Sequence, residues 1–400
     1  MASPDSNNVA EFSRRLATFS INLYSKLTTK KPNQNIIFSP FSIQTCAAMA
    51  RLGASGETAA QLDQGLGLIS SNEAQIAESF HNVLTEYENS SILHIANKIY
   101  IMTGYQLNDE FSSLISKQFL SAVEPVDFAQ NEQAAGQINS WVEQRTNNLI
   151  KNLVPPSALD QYSRLVLINA IHFKGIWVHQ FPEDKTRNER FHLNDADSIE
   201  VPMMNLKKRF RYANLVDLDA TALELPYKDS DLSMLIVLPN SKTGLSQLEE
   251  KLRSTPLTEI IRALYSTEVI VKLPKFKSEF EVELTDTFKQ LGMTKLFSNQ
   301  AEFGKMIQSP EELKVSQIIH KAFIDVNEKG TEAAAATAVV VRQKRSIISL
   351  EEPIEFHADH PFIYMLVHQQ SMPLFLGTVV QLDAATSASC APALSEHDEL

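Results

Sequence analysis

Apolar residues recur at helical spacing near the start of the chain, where Val9, Phe12, Leu16, Phe19 and Leu23 share one face and predict an amphipathic helix. A second helix is predicted to start after Ser39-Pro40 and to stop at Gly53. Residues 72–88 read as a third, with Glu73, Glu78, Glu86 and Glu88 on its exposed face. Strand signals follow over 92–102, 165–173, 232–238, 269–273, 313–326, 362–367 and 374–381. Helices dominate the first half and strands the second, an order that predicts an α+β fold rather than alternating βαβ units.

One segment is poised between the two periods. Glu328-Lys329-Gly330-Thr331-Glu332 leads into four alanines, Ala333 to Ala336, then Thr337-Ala338-Val339-Val340-Val341. Alanine has the best helix propensity, yet Gly330 precedes the run and three β-branched valines follow it. Laid out as a strand, Thr331, Ala333, Ala335, Thr337, Val339 and Val341 share a face. All are small or apolar and uncharged, and no proline interrupts, so that face could enter the middle of a sheet without burying a charge or losing a ladder hydrogen bond. Glu332 falls on the opposite face. The plainer alternative is an Ala-rich surface linker. The segment runs straight into a basic bait, Arg342-Gln343-Lys344-Arg345-Ser346.

Bulk properties narrow the classes. The chain has 400 residues, with no linker or internal repeat to divide it. A formal charge of −12 argues against a nucleic-acid or anionic-membrane binder, and 44% hydrophobic with 21% charged residues is the composition of a soluble globular protein. Cys46 and Cys390 make no disulfide framework, and Cys46 reads as a buried spectator. No stretch of eighteen apolar residues predicts a membrane span. The first residues lack the charged and apolar regions of a signal peptide, but the chain ends His397-Asp398-Glu399-Leu400, an address for return to the endoplasmic reticulum. A chain whose signal peptide has been removed reconciles the two ends. It predicts residence in the endoplasmic reticulum and secretory pathway, partly extracellular, with a retrieval receptor as partner. Asn89-Ser90-Ser91 is a glycosylation sequon.

Catalytic chemistry is missing from the pattern. There is no G-x-S-x-G, no H-E-x-x-H, no Walker loop and no Cys/His zinc spacing, and Gly65-x-Gly67 lacks the third glycine of a dinucleotide fingerprint. No enzyme activity, metal or cofactor is expected. Lys207-Lys208-Arg209-Phe210-Arg211 is the one basic cluster outside the bait; it could meet a polyanion, but a solvated strand or turn is the preferred reading.

Several ordered motifs carry a family resemblance. They are Asn35-Ile36-Ile37-Phe38-Ser39-Pro40-Phe41-Ser42-Ile43, Gly53-Ala54-Ser55-Gly56-Glu57-Thr58, Ile138-Asn139-Ser140-Trp141-Val142-Glu143 and Ile168-Asn169-Ala170-Ile171-His172-Phe173-Lys174-Gly175-Ile176-Trp177. Lys272-Leu273-Pro274-Lys275-Phe276, Ile319-His320-Lys321-Ala322, Pro361-Phe362 and Pro373-Leu374-Phe375-Leu376-Gly377 complete the set. From about Glu11 to Gln381 the chain resembles the serpins, and within them the insect inhibitors of furin-like convertases that are retained in the endoplasmic reticulum. The resemblance implies one α+β domain over 9–382 with three β-sheets, a reactive-centre loop at about 328–359, a tail over 383–400, and a monomer. It implies suicide inhibition of a serine protease: the loop is cleaved, the acyl-enzyme forms, and the loop inserts into the central sheet and drags the protease with it. By resemblance the hinge is Glu328, Gly330, Thr331, Ala333, Ala335 and Thr337. The gate that holds the sheet shut is Ser39, Ser42, Asn169, His320 and Lys321, and Trp177 lies where insertion begins. His320 and Asn169 read equally as satisfied core polar groups. None of these residues is catalytic.

The bait sets the target. Arg342-Gln343-Lys344-Arg345 fits the R-x-K/R-R signature of furin-like proprotein convertases, with Arg345-Ser346 as the scissile bond and Arg342, Lys344 and Arg345 as specificity residues. A trypsin-like protease would also accept Lys344 or Arg345. Glu328 through Arg345 is 18 residues where inhibitory serpins place seventeen, a register that would select Lys344. The segment 346–359 is long and carries Glu351, Glu352 and Glu355. The acidic third helix departs from heparin-activated serpins, so no such cofactor is expected. A non-inhibitory, serpin-like chaperone resident in the endoplasmic reticulum is the rival from another class; such proteins spoil the hinge with bulky, charged or proline residues, and here it is intact.

Overall fold

The strand that organises the molecule is Leu165–Phe173, nine residues buried on both faces, which an unbroken apolar run favours in the middle of a covered sheet. The computed structural model describes residues 4–68, 72–308, 312–331 and 353–384. In chain order these form α1 (Pro4–Lys30), β1 (Ile36–Phe38), α2 (Pro40–Leu52), α3 (Gly56–Leu66), α4 (Glu73–Tyr87), β2 (Leu93–Met102), α5 (Asp109–Phe119), β3 (Val123–Val126), α6 (Asn131–Arg145), β4 (Leu165–Phe173) and β5 (Gly175–Ile176). There follow β6 (Arg187–His192), β7 (Ser198–Leu215), β8 (Ala220–Pro226), β9 (Leu232–Pro239), α7 (Leu245–Leu252), α8 (Leu257–Ala263), β10 (Tyr265–Pro274), β11 (Phe276–Glu283), α9 (Thr285–Gln290), β12 (Val315–Asn327), β13 (Gly330–Thr331), β14 (Ile354–His357), β15 (Phe362–His368) and β16 (Met372–Val379).

The central sheet runs β3-β2-β4-β12, with β11 on the far side of β12. Its decisive pairing is β4 with β12, directly hydrogen-bonded and parallel from Leu165↔Val315 to His172↔Phe323. Beyond that point the two strands part. β12 reverses at Glu328-Lys329, and β13 runs back antiparallel to both β12 and β5, filling the wedge between them. The second network has the order β1-β16-β15-β9-β8-β7-β10-β14, with β6 also on β7. Two of the three expected sheets are therefore joined. The 18-residue β7 pairs with β6 and β10 over its earlier part and with β8 from Arg211 to Leu215, carrying one ladder into the next.

α2 lies against the sheet and is buried along its whole length, its polar Ser42, Gln44, Thr45 and Arg51 included. Ser39 caps it, its hydroxyl accepting from the Ser42 amide, with Pro40 in the first turn and Gly53 at its end. Gly65 lies within α3 and Gly67 caps it at φ 67°, so this pair serves a helix end. Glu78 and Glu86 on α4, and Glu88 just after it, are exposed as expected, Glu86 with its carboxylate 3.4 Å from His368. Glu73 instead is half-buried, accepting from Arg51 at 2.9 Å and pairing with Lys305 at 2.5 Å. Cys46 is buried and free, and burial pushes its thiol far up, which keeps it protonated. Among the described residues no helix is long and apolar enough to cross a membrane.

Candidate functional site

Strand pairing alone places a row of polar side chains across the central sheet. Asn97 of β2 lies opposite Asn169 of β4, and Asn169 opposite His320 of β12. All three point toward α2, whose first turn supplies Ser39 and Ser42. Ser42 Oγ donates to Asn97 Oδ1 at 2.7 Å, Asn169 Nδ2 donates to Ser42 Oγ at 2.5 Å, and Asn169 Nδ2 also contacts Asn97 Oδ1. The Ser39 amide donates to His320 Nε2 at 3.2 Å. That bond leaves Nε2 unprotonated, so Nδ1 carries the proton and gives it to Asn169 Oδ1. Burial pushes the His320 imidazole down to about 3, and it stays neutral. The Asn169–His320 bond spans the β4–β12 seam. Parting those strands would break it; we name the row the polar latch.

Ser39, Ser42, Asn169 and His320 are thus brought together as expected, and Asn97 joins them although the sequence reading did not single it out. A lone buried amide in the apolar run of β2 was the signal. Lys321 is not in this cluster. Neighbouring residues on a strand face opposite ways, and Lys321 turns to β11, where Nζ meets Glu279 at 2.7 Å and Glu281 at 3.3 Å. Burial pulls its ammonium down, but those two carboxylates outweigh it and hold the group above its usual value.

The wedge holding β13 is built from aromatic rings and glycine. Trp177 is buried and stacks on Tyr227 at 4.4 Å; its indole N–H donates to the Asn327 carbonyl at 3.0 Å and its amide to the Lys329 carbonyl at 3.0 Å. Gly330 passes so close to Gly175 that a Cβ on it would stand 2.0 Å from the Gly175 carbonyl oxygen, a clash with backbone. Thr331 is 0% exposed, and its hydroxyl meets the Tyr227 hydroxyl at 2.7 Å. Glu328 accepts from Thr186 at 2.8 Å and pairs with Lys275 at 2.9 Å. Burial raises its carboxyl, and Lys275 with the other donors more than reverses this, so it is ionised. Glu328, Gly330, Thr331 and Trp177 therefore meet at one end of the seam. Ala333, Ala335, Thr337, Arg342, Lys344, Arg345, Ser346 and the terminal His397, Asp398, Glu399 and Leu400 lie outside the described residues. Asn89 is exposed in the turn after α4. Among the described residues, no group of three or more His, Cys, Asp or Glu side chains is placed to hold a metal.

Known proteins share this architecture. The family model described as serpin (serine protease inhibitor) matches residues 14–382. Alaserpin of Manduca sexta is 38% identical, over 91% of this chain and 92% of its own length. Ipis-1 of Ixodes persulcatus is 37% identical, over 93% of this chain and all of its own. The solved structure of cleaved Serpin 42Da is 66% identical, superposes with a TM-score of 0.86, and covers 94% of this chain and 100% of the other. A five-strand central sheet closed by a direct β4–β12 seam, a polar latch across it and a wedge that already holds Gly330-Thr331 are the working parts of one fold: the chain belongs to the serpin family of serine protease inhibitors.

Proposed function

We propose that the protein is a suicide inhibitor of furin-like proprotein convertases, cleaved after Arg345 and trapping the acyl-enzyme by insertion of its loop between β4 and β12. The observation that carries inhibition is the burial of Thr331 in the wedge, with β13 already antiparallel to both flanking strands. The next residues on that face, Ala333, Ala335 and Thr337, are small enough to follow it. Fourteen residues, Glu328 to Val341, at roughly 3.3 Å each span on the order of 45 Å, enough to carry an attached protease the length of the sheet. The bait Arg342-Gln343-Lys344-Arg345 supports a convertase, and the terminal His-Asp-Glu-Leu supports a place of action in the endoplasmic reticulum and secretory pathway, reached through a retrieval receptor. The exposure of Asn89 suits a glycosylated lumenal protein.

A second reading has support from one count. The 18 residues from Glu328 through Arg345 favour Lys344 as the specificity residue, which suits a trypsin-like target. Incubation with furin and, separately, with trypsin decides between them. A furin complex that survives denaturing electrophoresis, with a released fragment beginning at Ser346 by mass spectrometry, is the expected result. Trapping of trypsin alone, with a fragment beginning at Arg345, would replace the convertase by the second target. Cleaved inhibitor with free active protease in both cases would remove inhibition altogether. Deleting the last four residues is expected to send the protein into the medium.

A further inference from the structure

β14 is a four-residue strand at the end of its sheet, and among the described residues it pairs with β10 alone, from Val269↔Ile354 to Lys272↔His357. It is the first described strand after the bait in sequence, so its attachment fixes where that side of the loop ends. One short ladder gives an edge strand little hold, and side chains add to it. Three of the chain's ten histidines gather there: His357 on β14, His360 just past it and His192 at the end of β6.

Carboxylates face all three. Glu189 of β6 sets Oε2 3.3 Å from His357 Nε2 and 3.4 Å from Lys272 Nζ, and Lys272 in turn meets Glu355 of β14 at 3.1 Å. The β7 residues in register with Glu189 and Lys272 are Val201 and Asn205, both uncharged. Asp359 gives its backbone carbonyl to the His192 amide at 2.7 Å, and its Oδ1 lies 2.7 Å from His360 Nδ1. The other nitrogen of that ring, Nε2, lies 2.7 Å from the Pro239 carbonyl oxygen at the end of β9. A neutral imidazole has one N–H, so only the doubly protonated ring donates to both oxygens. His360 is 6% exposed, and a bond lost there is not made good by bulk water. Burial raises the Asp359 carboxyl, and the His360 hydrogen bond with the neighbouring His357 and His192 more than reverses this. His192 itself differs: Lys242 Nζ, which has only protons to give, lies 3.0 Å from its Nε2, and Asp359 Oδ2 stands further off at 3.9 Å.

We propose that His357 and His360 are positioning residues that form a proton-operated clasp on β14, one that closes as pH falls. Protonated, His357 pairs with Glu189 and fastens β14 to β6, while His360 bridges Asp359 to Pro239 and fastens the end of β14 to β9. Glu189, Glu355 and Asp359 outnumber the two ammonium groups, Lys272 and Lys242, so the surroundings favour a positive charge on either ring. The dependence is opposite in sign to that of His320, whose buried ring is held neutral. Falling pH weakens the latch and tightens the clasp. The clasp concerns the attachment of the loop and holds whichever protease attacks it.

The test is amide hydrogen exchange of the full chain, followed by mass spectrometry at about pH 7.5 and about pH 5.5, either side of the free imidazole value, and corrected for the intrinsic exchange rate. One linked proton changes an opening equilibrium by up to about tenfold per pH unit, so protection of the peptide covering 354–359 is expected to rise about tenfold at the lower pH. Peptides from β4 and β12 should show no such gain. His357→Gln/His360→Gln should abolish the rise, and Glu189→Gln, which leaves both rings in place, should remove part of it. Protection over 354–359 that stays flat, or falls with the rest of the chain, overturns the clasp on wild type alone. A rise that persists undiminished in the double variant and in Glu189→Gln assigns the effect to other groups and overturns it as well. If the double variant does not fold, wild type and Glu189→Gln decide between these outcomes.

Discussion

Thr331 is where the inhibitory reading is most exposed to a single substitution. Its side chain has no contact with water and its hydroxyl already has a partner in Tyr227. Thr331→Arg would force a guanidinium into that wedge, where an unpaired charge cannot stay. The expected outcome is cleavage of the loop without a stable complex, read as free protease and cleaved inhibitor on a denaturing gel. A second prediction concerns protons. Burial pushes both His320 and His172 down to about 3 in the folded chain, while the unfolded chain titrates near 6.5. The unfolded state therefore takes up protons first as pH falls. The stability these neutral histidines confer is complete above about pH 6.5 and declines toward pH 3, by about 1.4 kcal/mol per pH unit for each. Urea midpoints should drop steadily from pH 6.5 to 4.5, and His320→Gln should flatten part of that slope. The sequence already held the pieces of the latch, but adjacency misled: His320 and Lys321 are neighbours in the chain, so only one of them could face α2. Asn97 was legible as an amide stranded in an apolar run, but nothing local says that its partner is Asn169 across the next strand.

At the scale of the element, the clearest expectations were the ones set by continuous burial or by paired start and stop signals. β4 has the predicted bounds because all nine of its residues are buried, and α2 because Ser39-Pro40 and Gly53 punctuate it. β11 was missed because Phe276, Ser278, Phe280 and Val282 alternate with charged residues, so half the strand looks like surface. β7 was legible only in part: its basic run 207–211 read as a solvated strand or turn, and nothing local marked the full 18-residue strand that carries one ladder into the next. The cap of α2 is open to test. Ser39→Ala removes the acceptor for the Ser42 amide while leaving the Ser39 amide to His320, and is expected to cost about 1 kcal/mol, measured as a lower urea midpoint. Because Ser42 also holds Asn97 and Asn169, the same change should loosen the latch and quicken spontaneous loss of inhibitory activity at raised temperature.

Over the whole molecule, the sheet is closed where β4 meets β12 and open where β13 enters. α+β architecture followed from the order of helices and strands, and the family from motifs spread along the chain, whereas the seam itself depends on a pairing between strands far apart in sequence. A synthetic peptide with the sequence of residues 331–341 is expected to occupy the seam as an antiparallel strand. It should raise the thermal midpoint and abolish trapping, leaving the loop a simple substrate. An unchanged midpoint at saturating peptide would mean that the seam does not open. A slot lined by backbone groups does not recognise which chain fills it. The molecule's own loop has precedence only because it is tethered one residue away, at an effective concentration of about millimolar. Another copy's loop offers the same small-residue face, so copies packed together while the latch is loose come to compete for one another's slots. Dilution, as much as sequence, keeps each molecule its own partner.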